Sequence, residues 1–584
     1  MRKAAVFVFL LLSAAMEVSG AADKKKGSEA ETSKLEGKVK AKKAENTDAI
    51  PASDISSSAF KGNLLVVPMD GSHWIGVKAI AQEMGRRGHR VTVVLPEISM
   101  RMGPGKHYHT VTHPVPYDQA HIDSVMAKNT EALEKSAESF MQKVQSRMSQ
   151  FQAIMDMIHV TAESLLFNDS IITHLAQQNF DAVLTDPMVP TGSLIARKLG
   201  EFIHIWIICV LMRCCISSPV NAKTLSGLPT VNLLRGIPCS LDIKAAGCPS
   251  PPSYVPRFFS GLTDRMTFME RVLNSLIALF EPLLCRIIYM HFDHIAYQFL
   301  GEKVSIAEVL SDSDIWLMRI DFTLEFPRPL MPNMVQVGGI NCKVKNCLPE
   351  DLESWVSGEH GFIVFTLGSM VSDLPESITA VFLEAFRQIP QKVIWRYTGK
   401  VPGKLPENVR LMKWVPQNEL LAHPGARAFI THAGSHGLFE GLCHAVPMLM
   451  LPLGGDQADN AHRMASRGAG VMLDITAITT ESLLKGLNAI IHDTRYKENL
   501  QKLSDLHNDR PIDPLELSVY WTEFVMRHKG AKHLKAAVHD LNFFQYYCLD
   551  VIALLVTVVL VFAMLTVKCM KVCFRRLTSK RKQD

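Results

Sequence analysis

Charge of one sign is what this chain has little of. Its 62 lysines and arginines nearly balance 57 aspartates and glutamates, leaving +5 over 584 residues. So mild a surplus, with no basic patch interleaved with aromatics, offers no footprint for nucleic acid. Zinc-type spacing is missing as well. The twelve cysteines include no Cys-x-x-Cys pair and no His/Cys cluster, so no structural metal is expected. Apolar runs that matter to a membrane are scarce, and the two that count lie at the ends.

The first, within residues 1–20, has Arg2 and Lys3 ahead of an apolar stretch and then small residues, which reads as a cleaved secretory signal. The second carries no charge from Val551 to Val567. Phe543, Phe544, Tyr546 and Tyr547 precede it, and Lys568, Lys571, Arg575, Arg576, Lys580, Arg581 and Lys582 follow it. An aromatic front edge and a one-sided cationic tail predict a bilayer-spanning helix with its C-terminus in the cytosol. The expected layout is a single-pass type I protein with a juxtamembrane segment 531–548, a transmembrane helix 549–567 and a basic tail 568–584. A lumenal setting permits disulfides. It also makes Asn168, in the one Asn-x-Ser/Thr triplet, a candidate glycosylation site. Residues 21–58 are rich in lysine and glutamate and poor in large apolar side chains, so this spacer is expected to be disordered.

What remains reads as alternating strands and helices. Residues 63–68 form a buried-strand run, a turn at 69–73 follows, and apolar positions at helical spacing predict a helix over 74–87. A second strand over 89–95 completes a βαβ opening. Helical intervals recur over 118–167, residues 180–187 deliver Asp186 to a strand end, and 228–234 is a further strand. A proline-rich connector at 327–332 leads to a second α/β region with strands at 361–367, 392–396 and 409–414. Helices are expected at 496–508 and 518–529, the last packing back on the first domain.

The chain is organised around residues 428–460. A strand over 428–431 meets a turn at Gly434, with Ser435 as the expected N-cap of a helix over 437–444. A helix N-terminus after a parallel strand suits an anion. The next strand, 448–451, runs into a loop carrying Asp456 and Gln457. The whole stretch resembles the signature of the UDP-glycosyltransferases, specifically the vertebrate UDP-glucuronosyltransferases. The run Thr431-His432-Ala433-Gly434-Ser435-His436-Gly437 is most like family 1.

That resemblance implies a GT-B architecture: two doubly wound Rossmann-like α/β domains facing across a cleft. Residues 59–330 would bind the acceptor and 331–530 the UDP-sugar. The implied reaction is inverting transfer of glucuronic acid from UDP-glucuronate to hydroxyl, carboxyl or amine groups of small lipophilic acceptors. Such β-glucuronides serve detoxification and elimination. UDP-glucuronate is then a co-substrate, and neither a cofactor nor a metal is expected, since no Asp-x-Asp is arranged to hold one against the diphosphate. Implied partners are phenols, steroids or bilirubin-like acceptors, the membrane and related transferases in homo- or hetero-oligomers. Lys580 and Lys582, fifth and third from the end, resemble a dilysine signal for retrieval to the endoplasmic reticulum.

His73 follows a strand end in a Gly-Ser-His-Trp turn, and histidine titrates near working pH. A loop histidine is most often structural, but the resemblance places His73 and Asp186 on the family's catalytic positions, as base and orienting carboxylate. It further implies that Trp414 stacks uracil, Gln417 holds base or ribose, and Glu440 accepts from the ribose. Ser369, His432, Gly434, Ser435 and His436 would surround the diphosphate, and Asp456 and Gln457 the sugar hydroxyls. The chain departs from the family at residues 201–227, an apolar insert beside the expected acceptor site. Two alternatives stay open: another UDP-sugar donor, or a catalytically impaired partner subunit.

Overall fold

The computed structural model describes residues 60–134, 140–200, 227–258, 260–344 and 346–580. The signal at 1–20, the spacer at 21–58 and all but the last residue of the insert lie outside these.

Two parallel sheets carry the fold. The first has seven strands: β1 Asn63–Val67, β2 Arg90–Pro96, β3 His109–His113, β4 Ala182–Thr185, β5 Thr230–Leu234, β6 Ile315–Met318 and β7 Met334–Gln336. They lie in the order β3-β2-β1-β4-β5-β6-β7. The second has six: β8 Phe362–Thr366, β9 Lys392–Arg396, β10 Val409–Met412, β11 Ala426–Thr431, β12 Met448–Met450 and β13 Gly470–Met472. Their order is β10-β9-β8-β11-β12-β13. Both repeat the doubly wound order 3-2-1-4-5-6, in which the strand sequence reverses once and opens a crevice at the carboxyl ends. The reversals fall between β1 and β4, where Leu64 lies beside Ala182, and between β8 and β11, where Thr366 lies beside Thr431.

A sheet covered on both faces needs strands that are apolar throughout, and the inner strands β1, β4, β6 and β8 are nearly so, while the edge strand β3, HTVTH, is largely polar and open. Alternation along each strand sends neighbouring side chains to opposite sides. Leu65, Val67, Val183 and Leu234 join one core of the first sheet, whereas Leu64, Val66, Leu184 and Leu233 join the other. Ile363, Phe365 and Ile430 likewise part from Phe362, Val364 and Phe429 in the second.

The first fold extends past the expected boundary at residue 330, because β7 pairs with β6. It also takes back the helix Pro514–His528, whose Val519, Val525 and Met526 pack with Leu64 and Val66. Asp513 caps that helix through the N–H groups of Leu515 and Glu516, typically worth about 1 kcal/mol. Disulfides join Cys239 to Cys285 and Cys342 to Cys443. Residues 535–584 form a separate unit. Its helix Leu549–Lys580 includes 27 residues, Leu549–Arg575, that are long and apolar enough to cross a bilayer.

Candidate active site

The turn after β1 ends in His73, the first residue of the helix His73–Arg86, and Asp186 directly follows β4. The two therefore stand on either side of the first sheet's reversal. His73 Nδ1 and Asp186 Oδ2 are 2.6 Å apart. The carboxylate is 1 % exposed and the imidazole 23 %. Burial alone would raise the Asp186 pKa. The His73 charge and hydrogen bond, the charge of Arg319 and the Met188 N–H overrule it, and the net direction is down. An ionised Asp186 on Nδ1 leaves Nε2 as the ring nitrogen for an acceptor proton.

Across the second sheet's reversal, Ser369 follows β8 and the expected phosphate turn follows β11. The helix there is Ser435–Cys443, and its N-cap is Gly434, not Ser435. The left-handed residue is Ala433, at φ 63°. Gly434 has φ −65° and is needed for space instead: a Cβ there would lie 2.4 Å from His432 Nε2. Gly368 lies against the same ring atoms, where a Cβ would meet His432 Cε1 at 2.5 Å. Wedged this way, His432 is pushed down to about 4 by burial, then by the Arg396 charge, against the pull of Asp456. It is a neutral imidazole at neutral pH, and its Nδ1 is buried without a partner among the described residues.

Gln417 binds both neighbours, accepting from Thr366 Oγ1 at 2.5 Å and donating to Glu440 Oε2 at 2.5 Å. Burial raises Glu440 to about 7, with Gln417 opposing and Glu419 adding to the rise. His436 contacts the Arg319 guanidinium through Nε2, and burial followed by the Arg319 and His73 charges hold it well below its ordinary value. Arg319, Asn341, Ser435, His436 and Glu440 line one recess. Asp456 is already engaged, 3.5 Å from Arg235 Nε and accepting from Asn460 Nδ2 at 2.8 Å. Gln457 turns its carbonyl oxygen to the N–H groups of Leu453 and Gly454, fixing the loop. Trp414 is 56 % exposed, with Arg101 4.7 Å and Arg396 5.8 Å from its ring centroid. Asn168 caps the helix Asp169–Ala176 through Oδ1.

Four arginines of this cleft escaped the reading of the sequence: Arg101, Arg235, Arg319 and Arg396. Arg235 and Arg319 directly follow β5 and β6, and Arg396 ends β9. A cation closing an apolar strand was the available signal, since ligands gather at carboxyl ends. Contacts between the folds, including Arg101 with Ser369 and Arg235 with Asn460, need three dimensions to be seen.

Two sheets of one strand order, a His–Asp pair on one and a helix N-terminus on the other, define a GT-B glycosyltransferase. The fold is shared with the solved structure of Spinosyn Forosaminyltransferase SpnP, at TM-score 0.53 and 18% identity over 80% of this chain and 100% of that one. The family described as "UDP-glucoronosyl and UDP-glucosyl transferase" matches residues 62–218 and 209–584, and the two segments meet inside the insert. The chain is 44% identical to "UDP-glucuronosyltransferase 1A1" of Rattus norvegicus over 86% of its own length and 89% of that protein. It is also 44% identical to the Homo sapiens protein of that name, over 89% and 93%. The chain belongs to this family of UDP-sugar transferases.

Proposed function

We propose that this chain transfers glucuronic acid from UDP-glucuronate to hydroxyl, carboxyl or amine groups of small lipophilic acceptors. The observation that carries the reading is the 2.6 Å pair of His73 and Asp186 facing a phosphate-binding turn. His73 Nε2 takes the acceptor proton as the acceptor oxygen attacks the anomeric carbon. The bond from that carbon to the phosphate oxygen breaks on the opposite face, UDP leaves with the electron pair, and the product is a β-glucuronide. Asp186 stabilises the imidazolium that forms. The N–H groups at the start of the helix Ser435–Cys443 meet the charge developing on the diphosphate, so the transfer requires no metal or cofactor. Trp414 takes the uracil and Gln417 and Glu440 the ribose. Ser369, His432, Gly434, Ser435 and His436 surround the diphosphate, and Asp456 and Gln457 face the sugar through Oδ1 and Nε2, the atoms not engaged by Arg235, Asn460 and the loop N–H groups.

A glucuronate donor needs a cation for its carboxylate. Arg319 is 5 % exposed and has no carboxylate at ion-pair distance among the described residues, while Arg235 is neutralised by Glu325 and Asp456. Arg101 and Arg396 also lack a carboxylate partner among the described residues but stand at Trp414 and Ser369. Arg319, in the recess with Ser435 and His436, is therefore the residue left to take it. The apolar helix supports a membrane anchor; the same reading makes the chain a single-pass type I protein of the endoplasmic reticulum with lumenal catalytic domains, a glycan on Asn168 and assembly with related transferases.

Microsomes expressing the full chain, given UDP-glucuronate and a panel of phenols, test this directly. Conjugates are expected to form and to fall by about 10²–10⁴-fold in His73→Ala, with UDP binding kept. Product that survives the substitution removes His73 as base. UDP binding without product from any UDP-sugar leaves a non-catalytic subunit.

A further inference from the structure

Two guanidiniums converge on one carbonyl from opposite sides of the cleft. Arg101, in the loop after β2 of the first fold, donates through Nη2 to the Ser369 oxygen at 2.6 Å. Arg396, from β9 of the second, donates to the same oxygen at 3.3 Å, to Val371 O at 3.1 Å and also to Gly368 O. Neither has a carboxylate at ion-pair distance among the described residues. Two cations held together without a counter-charge are costly away from bulk water. Burial, with the Arg101 charge added, pushes Arg396 down to about 10. Asp70 acts on Arg101 from a distance, and an anion beside Ser369 would supply the counter-charge to both guanidiniums.

Arg101 also lies over Trp414, 4.7 Å from the ring centroid, so the free chain has a cation where a stacking base would go. The loop that carries it is fixed in advance. Asp70, three residues before His73, accepts the N–H groups of Met100 at 2.7 Å and Arg101 at 3.1 Å. A side chain delivered on a fixed loop loses less freedom on binding.

We propose that Arg101 is a donor-binding residue supplied by the acceptor domain. A nucleotide's base takes the Trp414 face that Arg101 covers in the free chain, and the displaced guanidinium grips the diphosphate at Ser369. The proposal rests on the UDP-sugar reading above and adds a contact from the opposite domain. It makes Arg101 opposed in its two effects: it competes with the base and assists the phosphates. UDP and uridine separate them.

Calorimetric titration of the full chain in detergent with UDP and with uridine is the test, on wild type, Arg101→Ala and Arg101→Lys. Arg101→Ala should lose about 10- to 100-fold in UDP affinity, since hydrogen bonds to charged groups are the strong ones. Its uridine affinity should match or exceed that of wild type. Arg101→Lys should lose less for UDP, because a point charge replaces a planar fork. If Arg101→Ala does not fold, a loss for UDP but not uridine in Arg101→Lys supports the assignment. Unchanged UDP affinity in the folded variants, or equal losses for UDP and uridine, overturns it. A wild-type chain that fails to bind UDP overturns the donor reading beneath it as well.

Discussion

A carboxyl group kept from water is hard to ionise, and Glu440 is raised from 4.5 to about 7 chiefly by burial. Between those values the folded chain holds a proton that the unfolded chain has released. Stability from this group is therefore full below the ordinary value and declines as pH rises from about 4.5 to 7, then levels off. Glu440→Gln keeps an acceptor for Gln417 but cannot ionise. Its thermal midpoint, followed from pH 4.5 to 8, should lose that part of the decline and exceed wild type above pH 7 by roughly a few degrees. An unchanged profile would mean that Glu440 ionises freely. His73 and Asp186 were legible in the sequence because each follows an apolar strand and matches a family position. Arg101 was not, because it stands in a loop and what distinguishes it is the lack of a carboxylate partner, which only other segments could supply; Arg319 carried only the weaker mark of a cation closing an apolar strand.

At the scale of elements, most strands could be placed from apolar runs alone, since a sheet buried on both faces leaves few other choices. The start of the helix Ser435–Cys443 was less legible. A Ser after a Gly suggests a side-chain cap, but the cap is Gly434 and makes no side-chain bond. Two glycines instead clear a slot for the His432 ring. Gly434→Ala keeps an allowed φ and only crowds the ring, so the fold should persist while the donor KM rises about tenfold or more. Gly368→Ala crowds the same ring and also forces φ +81° on a residue with a Cβ, an added cost of about 1–2 kcal/mol. Its melting temperature should fall below that of Gly434→Ala. Equal melting temperatures, with donor KM unmoved in both, would mean that the slot has no role in binding.

For the whole molecule, two sheets of the same order put four chemistry-bearing strand ends, those of β1, β4, β8 and β11, around one cleft. The boundary between the folds was misplaced in the sequence because β7 has only three residues and lies beyond a proline-rich stretch. The insert is the remaining departure from the family, and its ends decide what it does to the fold. A Cβ on Gly200 would fall 2.4 Å from the Cα of Gly227, so the backbones before and after it touch. Leu228 N–H donates to Ala196 O at 2.9 Å, and β5 pairs with β4 and β6 despite the interruption. A segment that leaves and returns at one point costs mainly loop-closure entropy, which grows slowly with length. Removing residues 201–226 and joining Gly200 to Gly227 should therefore keep the fold and UDP affinity. Conjugation rates should stay within about twofold, because His73 and Asp186 are already in hydrogen-bond contact with the insert present. A large rise in activity on deletion would show instead that the insert obstructs the acceptor, and would make the full-length chain the impaired form.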